Sequence, residues 1–186
     1  MEGIKFSLLG CKIIEHKYFF DGRGSFTEFT RFDETPEGGI PGVFVPKQTN
    51  VSISSKNVVR GLHYQIDKPQ SKWVRVISGK ALDVVVDIRK GSPSYGQSET
   101  FFLTPYGHSV VIPVGFAHSF WALENNTIFH YICDNYYNPR GDRGIFPLDP
   151  TLNLPWINDP DIIISDKDRK LPSLIDIESP FVWVGK

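Results

Sequence analysis

The chain has 186 residues and a net charge of -1, from 20 Lys and Arg against 21 Asp and Glu. That length suits one domain with its own core, spanning residues 1–186, and the charge balance leaves no basic surplus for a nucleic-acid backbone. No stretch approaches the roughly 18 apolar residues of a membrane span and the N-terminal residues lack a signal-peptide pattern, so no membrane partner and a cytoplasmic location are expected.

Fourteen Phe, seven Tyr and four Trp, punctuated by fourteen Pro and sixteen Gly, predict many short strands instead of helices. In chain order the strands are expected at 25–31, 43–54, 58–65, 72–78, 82–88, 98–103, 108–112, 117–123 and 127–133. Turn sequences separate most of them: Glu37-Gly38-Gly39, Ser78-Gly79-Lys80, Lys90-Gly91-Ser92-Pro93, Pro105-Tyr106-Gly107 and Glu124-Asn125-Asn126. This spacing favours a sandwich or a closed barrel, with one short helical turn expected within 166–176. Cys11 and Cys133 are too few for a disulfide framework and are read as packing residues.

Strand period 2 sets Gln48, Asn50 and Ser52 on one face and Thr49, Val51 and Ile53 on the other. The polar face is either the wet outside of a sheet or the lining of a barrel that encloses a ligand. Lys72 shares a face with Val74 and Val76, and Glu28 shares one with Phe26. A charge on an apolar face either reaches water at a strand end or lines a cavity, because burying it unpaired is costly. Arg60 and His63 would face opposite ways in a regular strand, and Gly61 between them invites a bulge that aims both into one cavity. An isolated His63 reads equally as a hydrogen-bonded structural residue, and spacing does not identify its carboxylate partner.

Residues 107–118, GHSVVIPVGFAH, fit the second cupin motif, G-x5-P-x-G-x2-H, through Gly107, Pro113, Gly115 and His118. The fold expected from this is all-β, a cupin or jelly-roll antiparallel barrel with short peripheral helical turns. A metal-binding cupin would also carry an H-x-H pair. Here that segment reads His63-Tyr64-Gln65, and an amide is a poor ligand for iron, manganese or zinc, so no catalytic metal is expected.

Seven segments occur in order from about residue 18 to about residue 173: DGRGSFTE from Asp21, Gln48-Thr49-Asn50, RGLHYQ from Arg60, KWVRV from Lys72, DVVVDIRKGSPSYG from Asp83, IPVGFAHSF from Ile112 and SDKD from Ser165. Together they resemble the dTDP-4-dehydrorhamnose 3,5-epimerase family. The resemblance implies inversion of carbons 3 and 5 in dTDP-4-keto-6-deoxyglucose by an isomerase that needs no redox or other cofactor and forms a homodimer. By the same resemblance His63 is the base, Asp168 orients it, Tyr131 returns the proton and Lys72 stabilises the enolate oxygen. On their own, Tyr131 would read as a core aromatic and Asp168 as a turn carboxylate. Substrate contacts are implied for Arg23, Glu28, Gln48, Asn50, Arg60, His118, Asp142 and Lys167, with Tyr137 stacking on thymine. Asp142 stands where the family has Glu, and Ser119 replaces the usual Gly after His118, which bears on the pocket floor. The alternatives are an epimerase acting at one carbon, a noncatalytic cupin that binds a nucleotide sugar, and a metal-dependent cupin, the last disfavoured by Gln65.

Overall fold

The computed structural model describes residues 4–30 and 45–185. The turn expected at 37–39, the end of strand 25–31 and the start of strand 43–54 lie outside the described residues. Thirteen strands are present among them: β1 (Ile4–Phe6), β2 (Lys12–Ile14), β3 (Tyr18–Asp21), β4 (Gly24–Thr27), β5 (Gln48–Ser54), β6 (Val59–Gln65), β7 (Lys72–Ser78), β8 (Ala81–Asp87), β9 (Ser98–Leu103), β10 (Ser109–Ile112), β11 (Phe116–Ala122), β12 (Thr127–Cys133) and β13 (Asp142–Gly144). They form a six-stranded sheet ordered β1-β2-β10-β7-β12-β5, a five-stranded sheet ordered β13-β6-β11-β8-β9 and a separate β3-β4 hairpin. Neighbouring strands in all three pair antiparallel.

The inner faces of the two sheets meet in one core. Val74 and Val76 of β7, Ile112 of β10 and Phe129 of β12 pack with Val85 of β8, Leu103 of β9 and Phe120 of β11. Phe120 and Phe129 stack across it with centroids 4.1 Å apart and planes within 4°. The outer face of the five-stranded sheet is buried too, because Val59, Leu62, Val84 and Val86 are covered by Ile145, Leu154, Trp156 and Ile164 of the C-terminal segment. Burial on both faces explains the near-continuous valine run in β8. On the six-stranded sheet, Phe29 packs over Trp73, Ile14 and Ile132.

Gly115 of the cupin motif has φ +98°, and a Cβ there would lie 2.5 Å from Cγ of Arg89. The Arg89 guanidinium lies 4.4 Å from the centroids of both Phe116 and Trp183 and bonds Asp87 at 2.6 Å. The motif glycine therefore makes room for a half-buried cation that ties the barrel to the C-terminal tail.

Each of the nine expected strands has a counterpart, but β1, β2, β3 and β13 were not foreseen. Residues 28–30 and 45–47 are not strand. In place of one helical turn in 166–176, two 3-10 turns occur, Asp168–Lys170 and Leu174–Asp176. Leu171 between them is extended, with ψ 148°, as the ring of Pro172 requires of the residue before it. Among the described residues no helix is long and apolar enough to cross a membrane.

Candidate active site

The site begins with an irregularity in β6. His118 pairs with His63 and Phe120 with Arg60, so two steps along β11 face three along β6. Gly61 lies at this bulge with φ +124°, and a Cβ there would sit 2.5 Å from the His118 carbonyl oxygen and 2.7 Å from Ser119 Cβ. Only glycine permits that approach. As a result Arg60 and His63 both line a cavity of about 510 Å³, with Lys72, His118, Tyr131, Lys167 and Asp168.

Asp168 reaches this cavity because the C-terminal segment runs beside β6, where the Val59 amide donates to the Ile163 carbonyl at 2.9 Å. His63 Nε2 and Asp168 Oδ1 are 2.6 Å apart, and Asp168 is buried. Burial pushes the Asp168 carboxyl up, but the hydrogen bond and charge of His63, the Gly61 amide and the Ser165 hydroxyl together bring it below its ordinary value. An ionised Asp168 holds the proton on Nε2 and leaves Nδ1 with the free lone pair of a base.

His118 forms a second pair, its Nε2 2.6 Å from Oδ2 of the fully buried Asp83. Burial lowers the His118 pKa, more than the neighbouring Asp83 raises it. Sequence reasoning missed Asp83. Its signal was a carboxylate inside the apolar run Leu82-Asp83-Val84-Val85-Val86, a position that demands a partner.

Lys72 has no hydrogen bond or ion pair among the described residues, and burial lowers the pKa of its ammonium. Tyr131 lies on β12 opposite Asn50 of β5 and Val74 of β7. Burial raises its phenol pKa, so the hydroxyl keeps its proton at neutral pH and can donate it. The strand alternation read for β5 is observed: Gln48, Asn50 and Ser52 are half-buried, whereas Thr49, Val51 and Ile53 are exposed.

The remaining expected contacts divide into two groups. Gln48, Asn50, Tyr137 and Asp142 do not line the cavity but form a hydrogen-bonded group joined to its Lys167, in which Gln48 Oε1 accepts the Tyr137 amide at 2.8 Å and Gln48 Nε2 donates to Asn50 Oδ1 at 2.8 Å. Asp142 Oδ2 accepts both the Tyr137 hydroxyl, at 3.1 Å, and the Lys167 ammonium, at 2.6 Å. That hydrogen bond holds the Lys167 pKa above its ordinary value. The shorter Asp142 side chain thus ties two other expected site residues together. Arg23 and Glu28 are not brought to the cavity. Arg23 lies in the β3–β4 hairpin and bonds Asp21 at 2.6 Å. Ser119 also stays out of the cavity lining, contrary to the expectation that it shapes the pocket floor. Its hydroxyl donates to the Arg60 carbonyl at 2.9 Å and so braces the bulge.

The cupin metal set does not fit this site. His63 and His118 direct Nε2 at carboxylates, and the Gln65 amide is occupied by backbone groups. Among the described residues no three His, Cys, Asp or Glu side chains converge as a metal site.

A model of the dTDP-4-dehydrorhamnose 3,5-epimerase family matches residues 5–176. The chain belongs to this family. It is 43% identical to the dTDP-4-dehydrorhamnose 3,5-epimerase of Methanothermobacter thermautotrophicus over 169 residues, covering 89% of this chain and 90% of that one. The solved dTDP-6-deoxy-D-glucose-3,5-epimerase of Legionella pneumophila, in complex with dTDP-4-keto-L-rhamnose, superposes with a TM-score of 0.87 at 37% identity, covering 95% of this chain and 94% of that one. A 3'-monoepimerase from Streptomyces bikiniensis, in complex with dTDP-quinovose, superposes with a TM-score of 0.80 at 29% identity, covering 89% of this chain and 84% of that one. Membership of this epimerase family makes the chain an isomerase on a cupin jelly-roll scaffold.

Proposed function

We propose that the chain inverts carbons 3 and 5 of dTDP-4-keto-6-deoxyglucose to give dTDP-4-keto-rhamnose, without a redox cofactor. The observation that carries this reading is one cavity lined by a carboxylate-paired His63, an unpaired Lys72 and a protonated Tyr131. His63 would take the proton from the carbon beside the ketone, and the C–H electron pair moves onto the ketone oxygen. Lys72 offsets that developing charge, the kind of preorganised contribution that is usually largest in such reactions. Tyr131 then delivers its proton to the opposite face of the same carbon, and exchange with solvent resets both residues. Arg60, Lys167 and the hydrogen-bonded group of Gln48, Asn50, Tyr137 and Asp142 are proposed to hold the nucleotide, the cations facing the diphosphate. His118, kept neutral by burial, is proposed to contact the sugar.

The same reading treats the chain as a single cytoplasmic domain that works as a homodimer. Phe19, Phe20 and Phe26 of the hairpin are exposed, as are Val51 and Ile53 on edge strand β5, which supports pairing with a second copy. Because Arg23 and Glu28 do not line the cavity of their own chain, their contact with substrate would come from the partner's hairpin. A monomer in light scattering refutes this part.

The test of the chemistry is incubation with the keto-sugar in heavy water, read by NMR. His63→Ala should show neither deuterium uptake nor inverted product. Tyr131→Phe should still incorporate deuterium into unchanged substrate, because His63 can exchange its proton and return it to the same face, while inversion falls sharply. Inversion at the parent rate in Tyr131→Phe would remove Tyr131 as the acid. The similarity to a 3'-monoepimerase favours inversion at one carbon as a second reading, and product stereochemistry separates the two.

A further inference from the structure

Gln65 stands where a metal-binding cupin would place its second histidine, and period 2 sets it on the same face of β6 as His63. It is buried, at 5% exposure, and its amide is engaged on both sides. Nε2 donates to the Lys68 carbonyl and, at 3.1 Å, to the Tyr136 carbonyl, while Oε1 accepts the Asn138 amide at 2.9 Å. The last two bonds flank Tyr137 on either side. The Tyr137 amide itself donates to Gln48. Gln48 belongs to the six-stranded sheet and Gln65 to the five-stranded sheet, so two amides, one from each sheet, hold the loop that carries Tyr137. Tyr137, in contrast, is 52% exposed, and among the described residues its side chain is held only through the hydroxyl, which donates to Asp142. Its location is therefore set by its backbone.

We infer that Gln65 is a positioning residue for the nucleobase end of the substrate, acting through Tyr137, and that the change which removes a metal ligand creates this clamp. The inference rests on the proposed role of Tyr137 in stacking on the base. The residue type follows from the geometry. The site requires two donors and one acceptor on a side chain long enough to leave β6, and glutamine supplies all three. Glutamate lacks the donor pair, histidine lacks one donor when neutral, and methionine has no strong donor or acceptor. Because the Gln65 amide bonds Lys68, Tyr136 and Asn138 and not the His63–Asp168 pair or Lys72, its loss should act on nucleotide affinity and leave the chemical step alone.

The experiment compares Gln65→Met with the parent in three measurements, and Gln65→Glu, which keeps the shape and the acceptor, serves as the second variant should Met impair folding. Amide hydrogen exchange at Tyr137 and Asn138 in the ligand-free protein should accelerate. Calorimetric titration with dTDP alone should show affinity weakened by roughly tenfold, the size expected for about one net hydrogen bond of ordering, while kcat stays within about twofold. In a Tyr137→Ala background the same Gln65 change should cost no further dTDP affinity. Unchanged exchange at Asn138, a fall in kcat with dTDP affinity intact, or an equal loss of affinity in the Tyr137→Ala background would each overturn the inference. A parent protein that fails to bind dTDP at all would overturn the functional reading instead, and the exchange data would still decide whether the clamp exists.

Discussion

Lys72→Met removes a cation of the cavity lining that has no hydrogen-bond or ion-pair partner among the described residues, and it should move activity and stability in opposite directions. Asp83 and Asp142 lie near enough to affect the Lys72 ammonium electrostatically, but neither bonds it. Its charge is thus available to a ketone oxygen that becomes an enolate. Removing a donor aimed at such an oxygen costs a factor of about 10² to 10³ in kcat, equivalent to ~2.7–4 kcal/mol. KM should change by less, because the neutral ketone of the ground state gains little from the ammonium. The same ammonium is a cost to the free protein, since burial lowers its pKa. Methionine keeps the length of the side chain and removes the charge. The half-buried site retains part of its hydration, so a gain of about 1 kcal/mol is expected, raising Tm by ~2–4 °C for a chain of this size. Steady-state kinetics on the keto-sugar and a thermal melt of the free protein check both halves. Equal losses in kcat and affinity would make Lys72 a ground-state binding group, and a fall in Tm would refute the argument that its cation is unpaired.

Gly61→Ala should destabilise the protein by at least ~2 kcal/mol in a denaturant melt, since its Cβ meets the His118 carbonyl and Ser119 in a positive-φ conformation. Turnover should fall as well, because the bulge aims His63, and a variant with parental stability and rate would show that β6 can relax. Acid should weaken the packing of the N-terminal arm on the six-stranded sheet. His16 bonds Ser109 Oγ at 2.7 Å, and burial, with help from Arg75 and His108, lowers its pKa to about 4. The folded state therefore favours neutral His16, so this stability is complete above an unfolded pKa of roughly 6.5 and is lost as pH falls toward 4. His16→Asn should flatten the decline of Tm over that window, and an unaltered slope would place the acid sensitivity elsewhere.

Much of the barrel was legible because its long strands obey local rules. β5, β6, β7, β8, β9, β11 and β12 each have six or seven residues bounded by turn sequences. The missed strands have three or four. A segment that short carries too few alternations to declare itself, and it becomes a strand only when a neighbour supplies hydrogen bonds. Asp142–Gly144, for example, is defined by pairing with His63, Tyr64 and Gln65.

In the site, sequence alone determined which residues share a face and which departed from a metal-binding pattern. Gln48, Asn50 and Ser52 had to lie together because strand geometry alternates, and Gln65 could not serve as an imidazole ligand. It also determined, through an ordered set of matching segments, the family to which the chain belongs. Tertiary structure alone decided that the polar face of β5 turns inward while Val51 and Ile53 remain exposed, since closure of the barrel, and not alternation, chooses the inside. It brought Asp168 to His63 across 105 residues and gave His118 its partner Asp83 across 35. It also left Arg23 and Glu28 outside the cavity. These outcomes share one physical reason. Alternation and turn chemistry act between residues close in sequence, whereas a hydrogen bond between distant side chains exists only after the sheets close and the C-terminal segment covers them.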